Sequence, residues 1–241
     1  MKTSIRRYLK RSSEPYTATL LVLPLFVVYQ VGILLTGGVR NGVDFMTDLL
    51  FLVADEELGT YLVINIGLLA AFVAAVFVMR KRGEFKLRVW PWVVAESTLY
   101  ASLLGTTVIL LMQQLGLQDL PFAAGAGGQR ELIDILVLSL GAGIYEEIVF
   151  RVALMGGLFW VASKALGWKT WVAALTAVVA SSLVFSGIHY IGPMGDVFAM
   201  QSFLFRFFAG GLLALIYHLR GFAVVVYTHA IYDILVMIGP G

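Results

Sequence analysis

Apolar runs of about membrane-spanning length follow one another along this chain, separated only by short polar segments. That pattern leaves few folds open. In hydrocarbon every backbone N–H and C=O must be satisfied within the segment or its closed sheet, so runs of this length are read as helices. The 241 residues are 60% hydrophobic and 13% charged, with mean hydropathy +0.89. Soluble domains carry roughly 25% charged residues. The sequence therefore predicts an all-α, polytopic transmembrane helical bundle of about 7 spans (range 6–8), forming one integral membrane domain over residues 1–241.

Composition also narrows function. A net charge of +2 is too small to draw nucleic acid, and the basic residues cluster beside spans, where topology and anionic lipid account for them. Cysteine is absent, which excludes disulfides, thiolate metal sites and a cysteine nucleophile.

The expected spans are 18–35, 61–79, 92–112, 131–163, 171–189, 197–219 and 222–238. The basic N-terminus (Lys2, Arg6, Arg7, Lys10, Arg11) and the basic cluster after the second span (Arg80, Lys81, Arg82, Lys86, Arg88) are expected in the cytoplasm, in a cell membrane. The acidic loop between the first two spans, with Asp44, Asp48, Asp55, Glu56 and Glu57, is expected outside. The first apolar run is read as a retained span rather than a removable signal. Trp90 and Trp92 fit an interfacial belt, with Glu96 near the headgroups. The Gly/Ala tract 123–128 reads as a loop, and Gly192 and Pro193 as a turn. Residues 131–163 are long for one upright span: one tilted helix, or two broken near Gly141 and Gly143. The placement of Lys164, Lys169, His218 and Arg220 favours a single crossing.

Within the run 132–162 stand three charged side chains, Glu146, Glu147 and Arg151. Each costs a few kcal/mol at the bilayer centre, about 2.5–3.5 on insertion scales. Glu147 and Arg151, four apart with the acid first, suit a helical ion pair. Glu146 projects about 100° away from Glu147 and is the better general base. Phe185 and His189 lie one turn apart near the end of the fifth span, and His229 and Asp233 share a face of the seventh. A carboxylate, two imidazoles and an aspartate on three apolar segments can hold and activate water, as peptide hydrolysis requires. The same four groups are legitimate ligands for a divalent metal such as zinc.

Together these residues spell Glu146-Glu147-x-x-x-Arg151, Phe185-x-x-x-His189 and His229-x-x-x-Asp233. This set resembles the CPBP intramembrane proteases, which include the type II CAAX prenyl endopeptidases and the Abi or bacteriocin-processing proteins. The resemblance spans 132–237 and implies a protease that cuts near the C-terminus or anchor of a membrane-associated protein or lipidated peptide. It assigns Glu146 and His189 to water activation, with His229 and Asp233 completing the site and Glu147 and Arg151 supporting it. The family has been described both as metal-dependent and as glutamate-type. The last position is Asp where the eukaryotic prenyl proteases usually have Asn, so the resemblance bears on proteolysis more than on a prenylated substrate.

Zinc site-2-type, rhomboid and presenilin-like motifs are absent or misplaced. The other function classes compatible with these charges are a proton- or ion-coupled transporter and a non-catalytic membrane scaffold. Arg206 is read as a snorkelling or paired cation, and the Gly210-Gly211 pair as close helix packing.

Overall fold

The computed structural model describes residues 8–36, 58–80, 85, 87–117, 131–191 and 195–239. The acidic first loop, Lys81, Arg82 and Lys86, the glycine-rich tract, the Gly192-Pro193 turn, and Lys2, Arg6 and Arg7 lie outside the described residues.

Seven long helical stretches are described, and among the described residues there is no strand. They are α1 (Pro15–Leu35), α2 (Leu58–Met79), α3 (Trp90–Gln114), α4 (132–165), α5 (Thr170–Ile188), α6 (Met200–Arg220) and α7 (Phe222–Ile238). The all-helical polytopic bundle expected from the sequence is the one observed. Four helices, Pro15–Leu35, Leu87–Gln114, Thr170–Ile188 and Met200–Arg220, are long and apolar enough to cross a membrane by themselves. Residues 66–79 and Phe222–Ile238 are apolar but shorter. The protein is an integral membrane protein.

At the centre stands α7, packed against α1, α3, α4 and α6. Its residues from Ala223 to Ala230 are all buried, and they are apolar except Thr228 and His229. A helix enclosed on every side needs no polar face, which is why this segment reads as uniformly apolar. Phe26 and Tyr29 from α1 meet Tyr145 of α4 edge-on, at ring-centroid distances of 5.9 and 5.4 Å. Those rings, with Ile144 and Val226, belong to the main core and brace the wall behind Glu146.

Helix α4 runs unbroken through Gly141 and Gly143, which settles the choice left open by the sequence in favour of one continuous helix. The glycines serve packing instead. A Cβ on Gly143 would lie 2.8 Å from Ala230 Cβ and 2.9 Å from the Ala230 nitrogen, so α4 and α7 touch backbone to backbone here. After Glu146 the helix widens to π-helix over Glu147–Met155, and again over Val161–Ala165. Such i→i+5 stretches are rare and are frequently found at functional sites.

Between α6 and α7 the chain turns at Gly221, whose φ of +83° is open to glycine without strain, and where a Cβ would lie 3.0 Å from Ser13 Cα. Beside it Arg220 donates to Glu96 Oε2 (2.8 Å) and Ser12 Oγ (3.0 Å), while Tyr8 and Tyr100 also donate to Glu96. Glu96 is thus one half of an ion pair joining α3, α6 and the N-terminal segment. Trp90 is held as well, its indole N–H donating to Tyr227 Oη at 2.8 Å.

Candidate active site

The tight α4–α7 contact at Gly143 and Ala230 sets the register that brings Glu146 and Glu147, just after Gly143, against His229, just before Ala230. The imidazole spans both carboxylates. Its Nδ1 lies 2.7 Å from Glu147 Oε1, and because a carboxylate only accepts, this nitrogen carries the proton and donates. Its Nε2 end faces Glu146 Oε2 at 3.7 Å and Asp233 Oδ2 at 3.6 Å. Side chains that leave α4 in different directions are therefore gathered by one ring with a nitrogen at each end.

Glu147 also meets Arg151 Nε at 3.1 Å through its other oxygen. The ion pair read from the i,i+4 spacing is present, but Glu147 is shared between Arg151 and His229. Burial makes this pairing necessary: Glu146, Glu147 and Arg151 are 1%, 0% and 1% exposed. Arg151 completes its surroundings by donating to the Gly210 carbonyl (3.3 Å) and by lying over the Phe185 ring at 4.6 Å. A Cβ on Gly210 would lie 3.0 Å from Phe185 Cδ1, in keeping with the close packing expected of the glycine pair.

Phe185 is the hub of the second half. Its ring stands edge-on to His189 at 5.1 Å, to His229 at 6.1 Å and to Phe150 at 5.3 Å. The Phe185-x-x-x-His189 spacing also lets His189 Nδ1 donate to the Phe185 carbonyl at 2.7 Å, which leaves Nε2 as the accepting nitrogen. One buried ring thus separates the Arg151 guanidinium from the two imidazoles and fixes where they stand.

A cavity of about 520 Å³ opens among α3, α5, α6 and α7. His189, His229 and Asp233 line it, and so do Arg206 and Tyr232; Leu104, Ile109, Leu213 and Val236 make apolar wall. Glu146 is not among its lining residues and lies behind His229. The structure therefore brings Glu146, Glu147, His229 and Asp233 into one cluster and sets His189 beside it across Phe185.

Arg206 shows more than the sequence disclosed. It pairs with Asp196, as a paired cation should, but it does so at the cavity wall, with NH1 donating to Tyr190 Oη at 2.9 Å. Asp196 and Tyr190 carry no spacing signal that points to Arg206, because the contact joins a turn to a helix.

Among the described residues no three His, Asp or Glu side chains gather in a way that could hold a metal ion. His229 Nδ1 is committed to Glu147 and His189 Nδ1 to a carbonyl, which leaves Nε2 of each ring as its uncommitted nitrogen.

Residues 128–235 match the family model described as type II CAAX prenyl endopeptidase Rce1-like. The chain carries an Rce1-like region. That region contains Glu146, Glu147, Arg151, Phe185, His189, His229 and Asp233, so the motifs quoted from the sequence and the family match coincide. No curated protein and no solved structure matches the chain. Helices α1 to α3 lie outside the Rce1-like region, yet α1 and α3 enclose its central helix α7.

Proposed function

We propose that the protein is an intramembrane endopeptidase that hydrolyses a peptide bond near the C-terminus or membrane anchor of a membrane-associated protein or lipidated peptide. The observation that carries this reading is the His229 imidazole, held by Glu147 on one nitrogen, turned to Glu146 and Asp233 on the other, and facing an apolar cavity.

Water between His229 Nε2 and either carboxylate can reach both at about 2.8 Å, an ordinary hydrogen-bond length. Glu146 takes its proton, and the hydroxide attacks the scissile carbonyl carbon. With each Nδ1–H already donated, the Nε2 atoms of His229 and His189 are left to accept from water and hold it for the attack. Glu146 then returns the proton to the leaving amine nitrogen, so the carboxylate is regenerated. Asp233 and Glu147 orient His229 from its two ends. Arg151 holds Glu147 in place, so Glu147 and Arg151 support the chemistry and Glu146 performs it.

The apolar cavity walls suit a substrate presented from the bilayer. With the N-terminus cytoplasmic, as the basic N-terminal segment argues, the α5 end that bears His189 lies towards the extracytoplasmic face, which suits exported or C-terminally anchored substrates. Comparing the membrane proteomes of cells that express wild type or Glu146→Gln tests the reading. A protein whose C-terminal or anchor fragment persists uncut only with Glu146→Gln supports it; identical fragment patterns contradict it.

A further inference from the structure

We propose that Arg206 is a positioning residue for His189, acting through an ion pair with Asp196 that ties Asp196, bonded to the His189 carbonyl, to α6. The role rests on the peptidase reading above, and the geometry behind it does not.

His189 is the capping residue at the end of α5, where a helix loses its backbone partners and the side chain loses the support of a following turn. Its ring is held by the Phe185 carbonyl and ring, so what is left to restrain is the backbone that carries it. The restraint comes from the far side of the turn. The Asp196 backbone N–H donates to the His189 carbonyl at 2.9 Å, closing the turn on His189 itself. The Asp196 carboxylate is held by Arg206 of α6. The same guanidinium holds Tyr190, the next residue after His189, by a bond to its hydroxyl at 2.9 Å and by lying over its ring at 5.3 Å. The Tyr190 hydroxyl also meets Ser202 Oγ at 2.7 Å. Arg206 therefore grips both ends of the turn, with the planar, multi-donor head that arginine offers and lysine lacks.

A lipid-snorkelling cation would point away from the cavity and have no protein partner. Arg206 does the opposite: it lines the cavity with His189, His229 and Asp233 and has two protein partners. Misplacing a catalytic group by about 1 Å can cost about 100-fold in rate, so a hold of this kind acts on turnover rather than on substrate capture.

The test uses the full chain in detergent, with two fluorogenic reporter peptides, one farnesylated and one anchored by a hydrophobic helix. Arg206→Ala and Asp196→Asn should each lower kcat by about tenfold while KM stays within about twofold. Arg206→Lys should fall between them and wild type, and Arg206→Asp combined with Asp196→Arg should recover most of what either reversal alone loses. A rise in KM with kcat unchanged, or no recovery in the reversed pair, overturns the proposal. A second readout needs no turnover: hydrogen exchange at the Asp196 amide, and the rate at which diethylpyrocarbonate modifies His189 relative to exposed His218. Both should rise in Asp196→Asn and return towards wild type in the reversed pair, and unchanged rates overturn the proposal. If Glu146→Gln cleaves the reporters as wild type does, the peptidase reading fails, and these two rates still decide whether Arg206 holds His189.

Discussion

His229 Nδ1 and Glu147 Oε1 lie 2.7 Å apart across two helices, and the second oxygen of that carboxylate lies 3.1 Å from Arg151 Nε. Glu147 is thus the joint between a buried cation and the imidazole that faces Glu146 and Asp233. Removing its charge leaves Arg151 buried without a full counter-charge, and breaking such a pair costs about 3–5 kcal/mol. Glu147→Gln should therefore lower the thermal unfolding midpoint in detergent and abolish cleavage. Glu147→Gln with Arg151→Met should recover most of the stability and none of the activity. Restored activity in the double variant would show that His229 does not need Glu147.

Gly143 sets the register in which these residues meet. Its Cβ in Gly143→Ala would fall within 3.0 Å of Ala230 and of the Val226 carbonyl, which are backbone and short side-chain atoms that cannot turn aside. Overpacking of this kind costs about 1–3 kcal/mol. The variant should unfold at lower temperature and lose more activity than that destabilisation explains, because α4 must move from α7 and separate Glu146 from His229. Full activity at a temperature where the variant is folded would contradict this.

At the other end of α6, Arg220 and Glu96 join three parts of the chain. Arg220→Ala should destabilise the protein by about 3 kcal/mol, since Glu96 keeps a charge in a mostly buried place without its partner. Limited proteolysis should then cut sooner near Ser12 and Ser13. Glu96→Gln with Arg220→Met should cost less than either single change. In all of these variants the kcat of the folded fraction should stay at the wild-type value, because the pair touches no residue of the cavity.

The orientation has its own test. The chain has no cysteine, so a single cysteine at Ile191, which is 69% exposed, reports one position alone. A membrane-impermeant thiol reagent added to intact cells should label it. Labelling only after permeabilisation would place the His189 end of α5 in the cytoplasm.

How much of this could be read from residues alone depends on how far apart the partners lie. Glu147 with Arg151, Phe185 with His189, and His229 with Asp233 are each four apart, so helical geometry announces them, and the cost of charge in lipid singles out the first set. The tie between Glu147 and His229 was not legible, because it depends on the α4–α7 register that Gly143 permits, and a glycine in an apolar run reads equally well as a break. Taken singly, Arg220 reads as a topology signal and Glu96 as an interfacial acid. Only the packing of α3 against the end of α6 makes them a pair. Arg206 was read as snorkelling or paired, and its partner Asp196 sits in a turn where no periodicity applies. The seven helical stretches are legible to within three residues at their ends: the first two begin three residues before the expected positions, and α6 begins at Met200 rather than Val197, residues 195–199 being the non-helical stretch that carries Asp196.

Cleavage of the farnesylated and helix-anchored reporters by purified wild type and Glu146→Gln, in detergent with no ion gradient, tests the central claim most directly. Replacing the carboxylate by an amide keeps the shape and removes the base. The expected result is cleavage by wild type and a fall of at least about 100-fold in Glu146→Gln, within the range that general base catalysis contributes, with the unfolding midpoint little changed. A transporter would instead show gradient-driven flux that falls with Glu146→Gln, and a scaffold would be indifferent to the change. Cleavage at the wild-type rate by Glu146→Gln would contradict the account.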